Sequence, residues 1–158
     1  MIESSGKDEN RLKTTLRIGL ERLKEMEKIK AIKTELGEIH GRDAIFLDDI
    51  QFNYQKKEVT LIGEISGGLC TESDVDEFIG YELLFKRVYY FNMVELDVSL
   101  QRFDHSYHES SSFVEIGNTK ILRDIKNARG LELKQYIIYT YDEVFVIACQ
   151  EFELRLKK

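Results

Sequence analysis

The chain has 158 residues, 42% of them hydrophobic and 33% charged, and this composition is typical of a globular domain rather than of a disordered segment. The formal net charge is −6, and because an acidic surface repels phosphate backbones, we expect no nucleic-acid partner. The sequence has neither an apolar run of the roughly 20 residues that a membrane helix needs nor the apolar core of a signal peptide, so we expect a cytoplasmic protein with no membrane partner.

The chain contains 2 cysteines, Cys70 and Cys149, which lie far apart in the sequence. Cys149 falls in an apolar run of the kind that forms buried strands, and free cysteines are commonly buried. Disulfides are rare in cytosolic proteins. The sequence therefore predicts two buried, reduced thiols.

The N-terminal region carries the main helical signal. Four leucines recur there at helical spacing, namely Leu12, Leu16, Leu20 and Leu23. With Gly37 suited to end a helix, they predict a helix over residues 10–36. Residues 12–20 also alternate as a strand would, so the helical interpretation rests mainly on the residues after Glu21. The apolar stripe either packs on the rest of the chain or pairs with a second copy in a dimer, and the oligomeric state is left open.

A β-hairpin is predicted next, from residues 45–54 and 58–65, which alternate apolar and polar side chains about a polar break. The segment Ser66-Gly67-Gly68 ends the hairpin as a turn, because it lacks the glycine spacing and the following lysine of a phosphate-binding loop. Residues 81–100 are rich in Tyr, Phe, Leu and Val, and they predict one or two further strands.

One short helix is predicted in the second half of the chain. Residues 113–116 form a short strand before it. The helical spacing after Asn118 then predicts a helix over residues 118–129, ending near Gly130.

The C-terminal region gives the strongest strand signal, an antiparallel pair formed by residues 136–141 and 144–156. The second run is apolar at first and then alternates strictly. We expect its first half to be buried on both faces and its second half to be exposed on one face.

Together these elements predict an α+β fold built on a mostly antiparallel sheet of six to eight strands, curled or arranged in two layers. The helices are the N-terminal one and the short one near residues 118–129. The length suits a single domain. Within it we expect an N-terminal helical arm over residues 1–40 and a β-rich body over residues 41–158.

Histidine and carboxylate residues suggest a metal site at one place. His105 and His108 lie three residues apart with Asp104 and Glu109 beside them. Because no second ligand pair of recognised spacing is present, and because serines follow the cluster as in an exposed loop, we expect no metal.

Catalytic motifs are not indicated either. Neither cysteine has a basic neighbour in sequence, and no serine lies in a Gly-x-Ser-x-Gly motif, so we assign no catalytic residue and expect no cofactor. The acidic pairs Asp48-Asp49 and Asp142-Glu143 are interpreted as turn and edge residues, because adjacent residues of a strand point to opposite faces.

The candidate binding residues are four carboxylates within a six-residue segment: Glu72, Asp74, Asp76 and Glu77. Their spacing does not fit an EF-hand calcium loop, which requires a glycine at its sixth position. So many carboxylates cannot all find local basic partners, and Gly67 and Gly68 should leave the loop mobile. We therefore expect these residues to contact a basic protein partner.

Several sequence features occur in an order similar to that of small uncharacterised bacterial proteins, including immunity-type proteins encoded beside polymorphic toxins. Within residues 44–156, these features are Leu47-Asp48-Asp49-Ile50, an aromatic strand from Leu83 to Phe91, Glu115-Ile116-Gly117-Asn118, Tyr139-Thr140-Tyr141-Asp142-Glu143-Val144 and Phe152-Glu153-Leu154. The resemblance implies a non-catalytic protein that binds and blocks a partner.

The expected function is therefore non-catalytic protein binding, in an immunity-like or regulatory role. The alternative is a small-molecule-binding or hydrolytic domain with a pocket inside a curved sheet. A flat acidic face would favour protein binding, whereas a large apolar pocket with convergent polar groups would favour the alternative.

Overall fold

The computed structural model describes residues 8–16, 28–102 and 111–157. In chain order, the described part of the chain forms α1 (residues 8–16), β1 (Ile29–Ala31), β2 (Ile45–Asn53), β3 (Glu58–Ser66), β4 (Phe78–Lys86), β5 (Tyr90–Glu95), α2 (Leu96–Arg102), β6 (Phe113–Ile116), α3 (Lys120–Arg129), β7 (Lys134–Tyr139), β8 (Glu143–Cys149) and β9 (Glu151–Lys157).

The strands form two antiparallel sheets. One sheet has 4 strands in the order β2-β3-β4-β9, and the other has 5 strands in the order β1-β6-β7-β8-β5. The predicted α+β class with a mostly antiparallel, two-layered arrangement is confirmed. The described residues contain nine strands rather than six to eight. One extra strand is β1, and another arises because the C-terminal run is divided in two.

The inner faces of the two sheets share one hydrophobic core. Phe85 of the four-stranded sheet lies 6.0 Å from Tyr136 of the five-stranded sheet, measured between ring centroids. The fully buried members include residues of both sheets: Leu61, Tyr81, Phe85, Phe113, Ile138, Phe145 and Ile147. Burial of these apolar side chains between two layers is the main source of stability for such a fold.

The chain passes from one sheet to the other at a shared corner. Residues 87–89 connect β4 to β5, and Gln150 alone connects β8 to β9. The Gln150 N–H donates to the Lys86 carbonyl at 3.0 Å, and the Tyr89 N–H donates to the Ala148 carbonyl at 2.9 Å. The predicted strand over residues 144–156 is therefore two strands in different sheets. Its apolar half, β8, is buried, and its alternating half, β9, turns every second side chain to solvent.

The second face of the five-stranded sheet carries its own apolar cluster, which Leu96 joins from the start of α2. The sequence predicts strand as far as residue 100, but the strand ends at Glu95. The Glu95 carboxylate accepts hydrogen bonds from the N–H groups of Asp97 and Val98, both at 3.0 Å. The carboxylate thus satisfies two N–H groups of the first turn of α2 that have no partner within the helix. The same two hydrogen bonds lower the pKa of Glu95.

The N-terminal region differs from its prediction. The described helix α1 covers residues 8–16, and residues 17–27 lie outside the described part of the chain. The predicted helix does not extend through residues 28–36, because Ile29–Ala31 forms strand β1 along the edge of the five-stranded sheet. There Ile29 lies opposite Ile116. Pairing with a distant strand overrides the weak local helical preference of this segment.

The predicted hairpin and the short helix are confirmed by β2–β3 and α3. Thr119, one residue after the expected Asn118, caps α3, and its hydroxyl accepts a hydrogen bond from the Leu122 N–H at 3.2 Å. Gly130 ends the helix in the left-handed conformation with φ of 67°.

Strand β2 contains a bulge where it passes β3. The register shifts between Leu47 and Asp49, so Asp48 is the inserted residue. Gly63 lies opposite the bulge, and a Cβ atom there would meet the Phe46 carbonyl oxygen at 1.9 Å. The buried Tyr81 hydroxyl donates to the same carbonyl at 3.0 Å.

Candidate functional site

The four predicted binding residues lie together in a loop between β3 and β4. We call this loop, residues 72–77, the acidic loop. It folds back on the short turn Gly67–Leu69, and the Gly67 N–H donates to the Glu77 carbonyl at 2.9 Å. A Cβ atom on Gly67 would meet the Val75 carbonyl at 2.0 Å. The absence of a side chain at Gly67 therefore permits this close backbone packing.

All four carboxylate residues of the acidic loop are exposed. Glu72 pairs with Lys33, with 2.8 Å between the carboxylate and the ammonium group. Across residues 8–16, 28–102 and 111–157, the structure shows no ion pair for Asp74, Asp76 or Glu77. The loop therefore presents uncompensated negative charge to solvent.

Two further glutamates reach this surface from a distant segment. The Glu72 N–H donates to the Leu36 carbonyl at 2.9 Å, and the Thr71 N–H donates to the Glu38 carbonyl at 3.0 Å. These bonds bring Glu35 and Glu38 beside the acidic loop. Their contribution was missed from sequence because it depends on a contact between segments that are far apart along the chain.

Three aromatic side chains, Phe46, Phe78 and Tyr141, form a group beside the acidic loop that we call the aromatic cluster. Phe78 meets Phe46 edge-on with 5.6 Å between ring centroids, and Tyr141 stacks on Phe46 at 5.3 Å. The guanidinium of Arg42 lies over the Tyr141 ring at 5.1 Å. Phe78 nevertheless remains 59% exposed. Aromatic side chains are enriched at protein contact sites, and here an exposed ring lies beside uncompensated charge.

Among the residues that the structure describes, the other sequence candidates do not add a reactive centre to this surface. Asp48 lies at the bulge of edge strand β2, and Asp142 lies in the turn between β7 and β8, as predicted for the two acidic pairs. His105 and His108 fall outside the described residues. In the part of the chain that is described, no three His, Cys, Asp or Glu side chains converge as metal ligands would.

Both cysteines are buried free thiols, as predicted. Burial raises the pKa of Cys70, and it raises the pKa of Cys149 to about 12. Because the thiolate is the nucleophilic form, a raised pKa disfavours reactivity at neutral pH. The two cysteines are structural in character.

A second concave feature lies at the corner where the two sheets join. This aromatic cleft has a volume of about 410 Å³ and is formed by the β2–β3 turn and the β4–β5 connection. Its aromatic lining consists of Phe52, Tyr54, Tyr89, Tyr90 and Phe91. Three polar side chains also line it, namely Asn53, Lys57 and Glu58. This cleft is open and lies at one end of the two layers.

Comparisons with known proteins assign the chain to no group, since no family model matches it and no curated protein matches it. None of the described helices has the length and apolar character needed to cross a membrane.

Proposed function

We propose that the protein binds a partner protein with a basic surface, and that the acidic loop and the aromatic cluster together form the contact. Charge complementarity speeds the encounter of two proteins and excludes partners of the wrong sign. Aromatic side chains near the centre of an interface commonly supply most of its binding energy. The proposed contact surface offers both.

The observation that carries the proposal is the environment of Phe78. Its ring is held edge-on against Phe46 but stays largely exposed, and the adjacent Glu77 belongs to a loop with uncompensated charge. A ring that is held in place in the free protein loses little conformational freedom on binding, and this preorganisation favours affinity.

In this proposal the protein is non-catalytic and acts in an immunity-like or regulatory role, as the sequence resemblance implies. A blocked partner with a basic active site or nucleic-acid-binding face would suit the acidic loop. We place this binding in the cytoplasm, because two buried free thiols suit a reducing compartment.

The test uses the partner that co-purifies with the full chain and measures the association rate against ionic strength. Asp74→Lys combined with Glu77→Lys should slow association and flatten its salt dependence, because steering charges act mainly on the encounter. The control is Asp8→Lys combined with Glu9→Lys, which changes the net charge equally at exposed residues of α1. Equal effects of the two double variants would show that net charge matters and that the acidic loop does not.

A second pair of variants tests the aromatic cluster. Phe78→Ala should accelerate dissociation by about 30-fold, as for a strong interface residue. Phe52→Ala removes a ring of similar exposure, 63% against 59%, at the opposite end of the four-stranded sheet and should leave dissociation unchanged. Unchanged dissociation in Phe78→Ala would exclude the cluster, and turnover of ester or phosphate substrates by the pure protein would contradict a non-catalytic role.

A further inference from the structure

The aromatic cleft is independent of the proposed protein contact, because it lies at the other end of the four-stranded sheet. Phe52 and Phe91 are in edge-on contact in its lining, with 5.3 Å between ring centroids and 83° between ring planes. Phe52 remains 63% exposed and Tyr54 96% exposed. A concave site of about 410 Å³ with rings on several sides has the size and lining typical of a small-molecule pocket.

The charge at the rim of the cleft is positive. The Lys57 ammonium lies over the Tyr89 ring at 4.2 Å, so a cation already occupies that ring face. Lys56 and Arg87 are exposed neighbours, and the Val88 N–H donates to the Lys57 carbonyl at 2.7 Å, which brings the two turns together. No ion pair involves these three cations within the described ranges.

The backbone that presents these cations is unusual. Lys57 has φ of 55° and Arg87 has φ of 54°, both in the left-handed region that residues with a Cβ rarely adopt. Two long basic side chains are therefore placed at the rim where glycine or asparagine would fit the backbone better.

We propose that the aromatic cleft binds a small planar aromatic molecule that carries an anionic group. The aromatic part lies in the cleft against the exposed face of the Phe52 ring, where edge and face contacts are available. The anionic group lies at the rim and pairs with the Lys57 ammonium, with Lys56 and Arg87 adding to the local positive charge. Glu58, the acidic residue of the lining, disfavours an anionic ligand, but these three cations outnumber it.

The probe is anilinonaphthalene sulfonate, a fluorescent planar anion, and it is compared with the uncharged N-phenylnaphthylamine. Both dyes are titrated against the full-length protein. We expect saturable binding of both, with the sulfonate bound about three-fold more tightly, as for an exposed ion pair. Equal affinity for the two dyes, or no saturation, would overturn the proposal.

Two variants and one control locate the binding. Lys57→Asn suits the left-handed backbone and removes the charge, so it should abolish the preference for the sulfonate and leave the neutral dye unaffected. Phe52→Ala should weaken both dyes by about ten-fold. The control Phe78→Ala, at the far end of the same sheet, should change neither.

The same variants separate this proposal from its competitors. Equal loss of dye in Phe52→Ala and Phe78→Ala would show nonspecific binding to exposed rings and would overturn the proposal. Retention of the protein by phosphatidylglycerol vesicles, lost in Lys57→Asn and without saturable dye binding, would also overturn it and assign this end to a lipid surface. Failure of the partner-binding experiments at Phe78 leaves these measurements unaffected, because the two sites share no residue.

Discussion

At Gly63 strand β2 passes so close that no side chain fits. A Cβ atom there would lie 1.9 Å from the Phe46 carbonyl oxygen and 3.0 Å from the Leu47 Cα atom. Both neighbours are backbone atoms within a hydrogen-bonded hairpin, so neither is free to move aside. We predict that Gly63→Ala lowers the free energy of unfolding by about 3 kcal/mol, the range of a severe overpacking substitution.

The matched control is Gly117→Ala. A Cβ atom at Gly117 would lie 3.3 Å from the Lys28 Cβ atom, a contact that a shift of a few tenths of an ångström relieves, whereas the approach at Gly63 requires a much larger shift. Urea unfolding of both variants provides the measurement. A Gly63→Ala variant as stable as Gly117→Ala would show that β2 and β3 separate at the bulge with little cost.

Cys149 links stability to alkaline pH. Burial raises the pKa of this thiol from its ordinary value of 9.0 to about 12, because the folded protein disfavours the thiolate. The unfolded chain releases this proton more easily. The stability contribution is therefore present in full below pH 9.0 and is lost as the pH rises toward about 12.

Burial also raises the pKa values of Tyr81 and Tyr136. Their contributions to the free energy of unfolding are therefore also lost as the pH rises, at higher pH than that of Cys149. We predict that the free energy of unfolding falls as the pH rises from 9.0 toward about 12, and that Cys149→Ala reduces this fall. The measurement is urea unfolding at a series of pH values. Identical slopes for the two proteins would contradict the role assigned to Cys149.

Among the elements, the N-terminal region contains two kinds of apolar residue. Leu12 and Leu16 in α1 are 64% and 60% exposed, whereas Ile32, directly after β1, is buried in the shared core. We predict that Leu12→Ala combined with Leu16→Ala changes the free energy of unfolding by less than about 1 kcal/mol. Ile32→Ala should cost about 2–4 kcal/mol, because it leaves a cavity in the core.

Thermal melts of the two variants provide the comparison. A large loss in the α1 variant would show that its leucines contact another part of the chain or a second copy, as the dimer hypothesis requires. Such a loss that grows on dilution of the protein would favour the second copy.

Local signals were sufficient for some elements and insufficient for others. The β2–β3 hairpin and α3 were predicted because alternation, spacing and capping residues lie within each segment. Strand β1 was not predicted, because its partner β6 is distant in sequence and the predicted N-terminal helix was continued across this segment as far as residue 36. Helix α2 was missed because its start depends on the Glu95 carboxylate, which lies within an apparently continuous strand pattern.

The binding surfaces show the same division. The acidic loop was predicted because its four carboxylates lie within one short segment. Glu35, Glu38 and Tyr141 were not, because hydrogen bonds between distant segments bring them there. The aromatic cleft was not located either, since it forms from two turns that meet at the corner between the sheets. Sequence patterns therefore identified the residues that are neighbours along the chain, whereas the packing of the two sheets determines which distant residues join each surface.

On the scale of the whole molecule, the four-stranded sheet carries unpaired charges of opposite sign at its two ends. The acidic loop lies where β3 ends and β4 begins, whereas Lys56, Lys57 and Arg87, which form no ion pair among the described residues, lie where β2 and β4 end. The net charge of −6 is therefore unevenly distributed, and the molecule has an acidic end and a basic end. Such polarity orients a molecule as it approaches a charged partner, with the acidic end leading toward a basic surface.

The order of the strands also affects how the chain folds. Each sheet is completed by a strand from a distant part of the sequence, since Phe85 in β4 lies opposite Phe152 in β9 and Ile29 in β1 lies opposite Ile116 in β6. Folds dominated by such pairings fold slowly, because long loops must close before the contacts form. The chain contains 0 prolines, so no prolyl isomerisation delays it. The refolding rate of this protein would therefore report the search for distant strand partners directly.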